Sequence, residues 1–249
     1  MQSPPSSTRR RGLPYAIAGG GVIAAAVIFG GFLAIPSVSG AAGAVASATG
    51  EVGVVTDKPA LGAPRDPLSQ DELSYALHLA TTDGSIPDDV TSVDGSDSPQ
   101  VLSIDIATRD VDSGERIVDV VLYDYTSDKT LLQAVNLSTG SVDSSSREGV
   151  QPPPSADEVD YAFSVFLEDP AASAAIRTEF TTVTGEELTS IDQLGVSGGS
   201  FVPDASTLGG DACQLDRCVE MQFRVIGGGY LDTASFVVDL STRTVIGIQ

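Results

Sequence analysis

The chain has 249 residues, 41% of them hydrophobic, and sets 34 Asp and Glu against 13 Lys and Arg for a formal net charge of -21 at pH 7. A body this acidic is repelled by phosphate backbones and anionic headgroups, which excludes nucleic-acid binding. One His and two Cys exclude a histidine-built metal centre and an extended disulfide framework.

Residues 1–14 are a basic N-terminus holding Arg9, Arg10 and Arg11, and no acid occurs before Glu51. Leu13 to Gly50 carries no charge, and its apolar part, 15–38, is long enough for the ~20 residues that cross a bilayer. Arginines ahead of such a segment keep the N-terminus inside, so the acidic body is expected outside the cytoplasm. Thr8-Arg9-Arg10-Arg11-Gly12-Leu13 resembles a twin-arginine export signal without its usual Phe, and both that route and the general one stay open. Ala44-Val45-Ala46 and Ala46-Ser47-Ala48 each fit a small-x-small cleavage site. The segment is therefore a single-pass anchor or a leader cut near Ala46 or Ala48, and its length favours the anchor. Residues 39–67, rich in Gly, Ala and Pro, read as a linker that lifts the body off the membrane.

The body is a repeat. Ser69-Gln70-Asp71-Glu72-Leu73-Ser74-Tyr75-Ala76-Leu77 returns as Ser155-Ala156-Asp157-Glu158-Val159-Asp160-Tyr161-Ala162-Phe163, and Val135-Asn136-Leu137-Ser138-Thr139 returns as Val238-Asp239-Leu240-Ser241-Thr242. Two copies of one unit follow, 68–150 and 151–249, each with its helix first and its strands after. Units of this size are marginal alone and gain from packing together. Ser69 with Glu72, and Ser155 with Glu158, form the reciprocal Ser-x-x-Glu box that starts a helix, and Pro152 and Pro154 sharpen the second start. Leu73, Ala76, Leu77 and Ala80 make one apolar stripe, matched by Val159, Ala162, Phe163, Phe166 and Leu167. Asp169-Pro170 punctuates the second helix, after which Ala171 to Phe180 resumes it.

Strands are expected at Val101 to Ala107, Arg116 to Tyr123, Leu131 to Leu137 and around Ser200 to Val202. The alternation of Val219-Glu220-Met221-Gln222-Phe223-Arg224-Val225 predicts a sheet with one wet face, continued by Ala234, Phe236, Val238 and Leu240 after the Gly227-Gly228-Gly229 turn. The fold class is α+β: two tandem units, each a helix packed on a three- to four-stranded antiparallel sheet.

Cys213 and Cys218 are close in sequence and lie in the exported body, which predicts a disulfide of local effect, about 2 kcal/mol. Their spacing is not that of a Cys-x-x-Cys redox pair. His78 reads as a partly exposed helical residue. Asp83, Asp88, Asp89, Asp94 and Asp97 crowd one loop that could offer oxygens to calcium, but without the helix-loop-helix spacing, so a solvated loop is expected. Gly195-Val196-Ser197-Gly198-Gly199 carries the letters of the Gly-x-Ser-x-Gly pattern, but with one His in the chain no serine triad is argued, and the segment is read as loop. No residue is nominated as catalytic, cofactor-binding or metal-ligating.

Asp66-Pro67-Leu68-Ser69 with Asp71-Glu72-Leu73, Val120-Val121-Leu122-Tyr123-Asp124, Ala134-Val135-Asn136-Leu137, and Gly149-Val150-Gln151-Pro152-Pro153 with Ser155 and Asp157-Glu158 resemble the N-terminal N2 and N3 domains of copper amine oxidases. The resemblance covers roughly Asp66 to Phe180. It implies small α+β domains that in the family precede a catalytic β-sandwich carrying copper and topaquinone. The family's copper takes three histidines and its quinone a Tyr within an Asn-Tyr motif; here His78 stands alone and no Asn-Tyr pair occurs. The expectation is a non-enzymatic, extracytoplasmic, membrane-anchored domain pair, without cofactor, that meets an unidentified protein partner. The alternatives are an accessory or truncated relative acting with a separate catalytic subunit, and weak calcium binding at the surface.

Overall fold

A computed structural model describes residues 55–107 and 114–249. Residues 1–54, with the expected membrane segment 15–38 and most of the linker, lie outside the described residues. Among the described residues no helix is long and apolar enough to cross a membrane. Both copies fall within one compact unit.

The α+β class holds. The first copy runs α1 (Gln70–Thr82), β1 (Gln100–Ile106), β2 (Ile117–Asp124), β3 (Lys129–Asn136) and β4 (Ser141–Glu148). The second runs α2 (Ala156–Glu168), α3 (Pro170–Thr184), β5 (Leu194–Ser200), β6 (Cys218–Val225), β7 (Phe236–Asp239) and β8 (Thr244–Gly247). Each set of strands forms an antiparallel meander, in the orders β1-β2-β3-β4 and β5-β6-β7-β8.

Both helices begin at the expected serine, with both halves of the capping box formed. Asp169 ends α2 and caps α3 through the amides of Ala171 and Ala172, while Pro170 takes the first position, where its missing N–H costs nothing. The helix thus resumes after Asp169-Pro170 as expected, as a separate α3. Four residues fold the end of each copy in the same way. Asn136 Oδ1 accepts from the amides of Ser138 and Thr139 at 2.9 and 3.2 Å, and Asp239 Oδ1 accepts from Thr242 at 3.0 Å. The turn closes through Gly140 at φ 77° in the first copy and Arg243 at φ 59° in the second.

Three expectations are corrected. The helix face of the first copy turns on Glu72, Tyr75, Ala76 and Ala80, with Leu79 packed beside them, and Leu73 and Leu77 are only half-buried outside the core. The strand expected around Ser200 to Val202 runs instead over Leu194–Ser200, while both sheets have four strands, within the three to four expected. Gly195 to Gly199 lies within β5 and not in a loop. Its Gly198 is required, because a Cβ there would stand 2.8 Å from Val159 Cγ2 of α2 and 2.9 Å from Val219 Cγ1.

The first core joins Tyr75, Ala76 and Ala80 to Val118, Val120, Leu122, Leu131 and Val135. The second joins Phe166, Ile176 and Phe180 to Val219, Met221, Phe223 and Val238, with the Phe166 and Phe223 rings 4.9 Å apart. β7 has no wet face: Val238 faces this core while Val237 is covered by Cys213 and Cys218 with Phe201, Ile246 and Ile248. Residues 55–67 also lie against the first copy, with Val55 and Leu61 on its core and Lys58 Nζ donating to the Ser138 carbonyl at 2.7 Å.

Candidate functional site

The repeated phrases converge on one device in each copy. In the second, the capping carboxylate of Glu158 accepts Ser155 N–H at 2.8 Å and also receives Arg217, Nε on Oε1 at 3.0 Å and Nη2 on Oε2 at 2.9 Å. Both side chains are fully buried. Arg217 Nη1 donates to the Pro152 carbonyl at 2.6 Å and Nη2 to that of Pro153 at 3.4 Å, so the guanidinium fork pins the chain that enters α2. Its own backbone is held by the closing turn, its N–H by Ser241 Oγ at 2.9 Å and its carbonyl by Leu240 N–H at 2.8 Å.

The first copy repeats this. Arg116 Nε reaches Glu72 Oε1 at 2.8 Å and Nη2 reaches Oε2 at 3.0 Å. The fork also donates to the carbonyls of Ala63, Asp66 and Pro67. Ser138 Oγ accepts the Arg116 amide at 3.0 Å, and Leu137 N–H meets its carbonyl at 2.8 Å. Reading the sequence for caps and strands missed both arginines. The signal was present, since Arg116-Ile117-Val118-Asp119 aligns with Arg217-Cys218-Val219-Glu220 at the start of the second strand of each copy.

The two devices differ in one donor. Glu72 Oε1 takes the amide of Gly62 at 3.0 Å, whereas Glu158 Oε1 takes the hydroxyl of Tyr125 at 2.6 Å, a residue of the first copy. The second device therefore ties the copies together. Around it Tyr123 packs edge-on to Tyr125 with centroids 4.8 Å apart, and the Arg217 guanidinium lies 5.4 Å from the Tyr123 ring. Tyr123 and Ser241 both donate to Asp128, Gln100 Nε2 donates to Ser155 Oγ at 3.2 Å, and Thr130 Oγ1 to the Val150 carbonyl at 3.0 Å.

The electrostatics follow from these contacts. The Arg116 hydrogen bond, helped by the Ser69 and Gly62 amides and opposed by burial, brings the Glu72 carboxyl down to about 2. Burial opposes the charge of Arg217, but the hydrogen bond and charge of Glu158 outweigh it and raise the guanidinium's pKa. Burial first, then the carboxylates of Asp128 and Glu158, push Tyr123 and Tyr125 above the ordinary phenol range, so both remain hydrogen-bond donors. Burial, with Asp239 and Asp128 nearby, raises Asp216. Among the described residues no buried side-chain nitrogen or oxygen lacks a partner. The arrangement holds chain segments in place and keeps its protons where they are.

Cys213 and Cys218 form the expected disulfide, with S–S 2.06 Å and Cα atoms 5.5 Å apart. His78 is half-buried on α1. In the acidic loop Asp83 caps Ser85, and Ser92 and Ser96 draw Asp94 down to about 2. Among the described residues no three His, Cys, Asp or Glu are grouped to hold a metal. An open depression of about 380 Å³ lies where β6 and β7 part, lined by Glu220, Tyr230, Asp232 and Phe236 among others.

No family model and no curated protein matches the chain. Among solved structures it is similar to a copper-containing benzylamine oxidase from Hansenula polymorpha, at TM-score 0.44 and 16% identity over 75% of this chain and 30% of that one. The chain thus spans less than a third of that protein's length. A likeness of this size carries no statement about family or activity.

Proposed function

We propose that the chain is a non-catalytic, membrane-anchored domain pair that works outside the cytoplasm by binding another protein. The observation that carries this reading is the duplicated Glu–Arg device. The buried charged pairs are committed to fixing chain entry and to joining the copies, as the Tyr125 to Glu158 bond illustrates. A pair of sheets made rigid in this way is a scaffold whose exposed strands and loops are free for recognition. The arginine-led apolar segment 15–38 and the disulfide of the body support an exported location.

The test uses the full chain in its native membrane, crosslinked mildly, extracted in detergent and analysed for co-purifying protein, bound copper and peroxide release from primary amines. The expected result is one protein recovered in fixed ratio, with neither copper nor peroxide. Stoichiometric copper with amine-dependent peroxide would overturn the reading.

A further inference from the structure

Among the described residues four strands stand at sheet edges, and one of them is unlike the rest. β1 carries a bulge between Val101 and Ser103, β5 contains three glycines, and β8 has four residues. Each of these features weakens or shortens a pairing edge. β4, Ser141–Glu148, has eight residues in unbroken register with β3 and contains neither Gly nor Pro. Among the described residues nothing pairs with its outer edge.

Its side chains are arranged to match themselves. Val142 and Ser144 face the helix side, where Val142 packs on the core and Ser144 meets Asp83 and Gln133. Asp143, Ser145 and Arg147 alternate onto the opposite face and are exposed. Across β3 they stand opposite Ala134, Leu132 and Thr130, none of which offers a charge. Asp143 and Arg147 have no side-chain partner among the described residues, whereas Glu148 already pairs with Lys129 at 3.2 Å.

We propose that β4 pairs antiparallel with β4 of a second copy of this chain, about a two-fold axis at Ser145, joining two four-stranded sheets into one. In this register Asp143 of each copy faces Arg147 of the other, on the same side of the sheet and within the about 4.5–5.5 Å that separates directly opposed Cβ atoms. Ser144, Ser145 and Ser146 between them are small enough to bring the backbones together without a clash. A strand with charges of one sign would repel its copy; this one places opposite signs symmetrically about its centre. The pairing stands independently of the partner-binding role proposed above.

Both native cysteines are engaged with each other, so an introduced cysteine is the one free thiol among the described residues. The full-length chain in membranes is given Ser145→Cys or Asp143→Cys and a mild oxidant. Ser145→Cys should crosslink to a dimer, because position 145 faces itself. Asp143→Cys should not, because those positions lie about 13 Å apart along the strands, beyond disulfide reach. In the Ser145→Cys background, Asp143→Arg or Arg147→Asp should lower the dimer yield by about tenfold by setting like charges opposite, and the two together should restore it. A monomeric Ser145→Cys, equal crosslinking through position 143, or failure of the double reversal to recover the yield would overturn the proposal.

Discussion

Glu158 and Arg217, 59 residues apart in the chain, meet with no exposure to solvent through two hydrogen bonds of 3.0 and 2.9 Å. The pair is at once the helix cap of the second copy and, through Tyr125, its attachment to the first. Removing one charge strands the other in the interior, which costs about 3–5 kcal/mol. Glu158→Gln should therefore lower the melting temperature by about 10 °C, read by calorimetry on the full-length chain in detergent.

The equivalent pair in the first copy gives a pH dependence with a definite sign. Glu72 titrates at about 2 in the folded state against an ordinary 4.5, so the unfolded chain binds more protons between these values. Its contribution is fully present above the unfolded value and is lost as pH falls towards 2, amounting to about 3 kcal/mol. The stability gap between the native chain and Glu72→Gln should narrow by this amount from pH 6 to pH 2. A gap that stays constant over the range would refute the assignment.

Tyr125→Phe isolates the link between copies, because the ring and its packing on Tyr123 are kept while the hydroxyl on Glu158 goes. A hydrogen bond to a charged group is worth about 1.5–3 kcal/mol. Native-state hydrogen exchange should quicken at the first turn of α2. The first turn of α1, capped without a tyrosine, should change no more than the body as a whole.

Gly198→Val tests the close approach of α2 to β5. The added side chain meets Val159 and Val219, and overpacking of this kind costs about 1–3 kcal/mol. Val159→Ala in the same chain should recover part of that loss in urea unfolding. Additive losses would mean that the two residues do not share the space.

What could be read from the sequence was whatever is written locally. Ser69 with Glu72 and Ser155 with Glu158 announce helix starts within four residues, and the alternation from Val219 to Val225 announces a strand. β4 escaped because Asp143-Ser144-Ser145-Ser146-Arg147 has neither an apolar period nor strand-favouring side chains; its pairing comes from the exposed edge of β3. The glycines of β5 hid a strand for a similar reason, since Gly198 is set by the helix above it. The arginines were missed because strand-flanking charges normally read as solvent-exposed, and their burial depends on a carboxylate 44 or 59 residues away. The disulfide was legible from the spacing and the expected export alone. Its packing on Val237, which dries the second face of β7, was not.

Through the Tyr125 hydroxyl on Glu158, the second Glu–Arg device makes the two copies one cooperative body. Native-state hydrogen exchange on the Glu158→Gln chain follows the slowest amides of β2 and β3 beside those of β6. All three strands should lose protection by the same factor, since they open together. Loss confined to β6, with β2 and β3 unchanged, would show two independent copies and contradict this coupling.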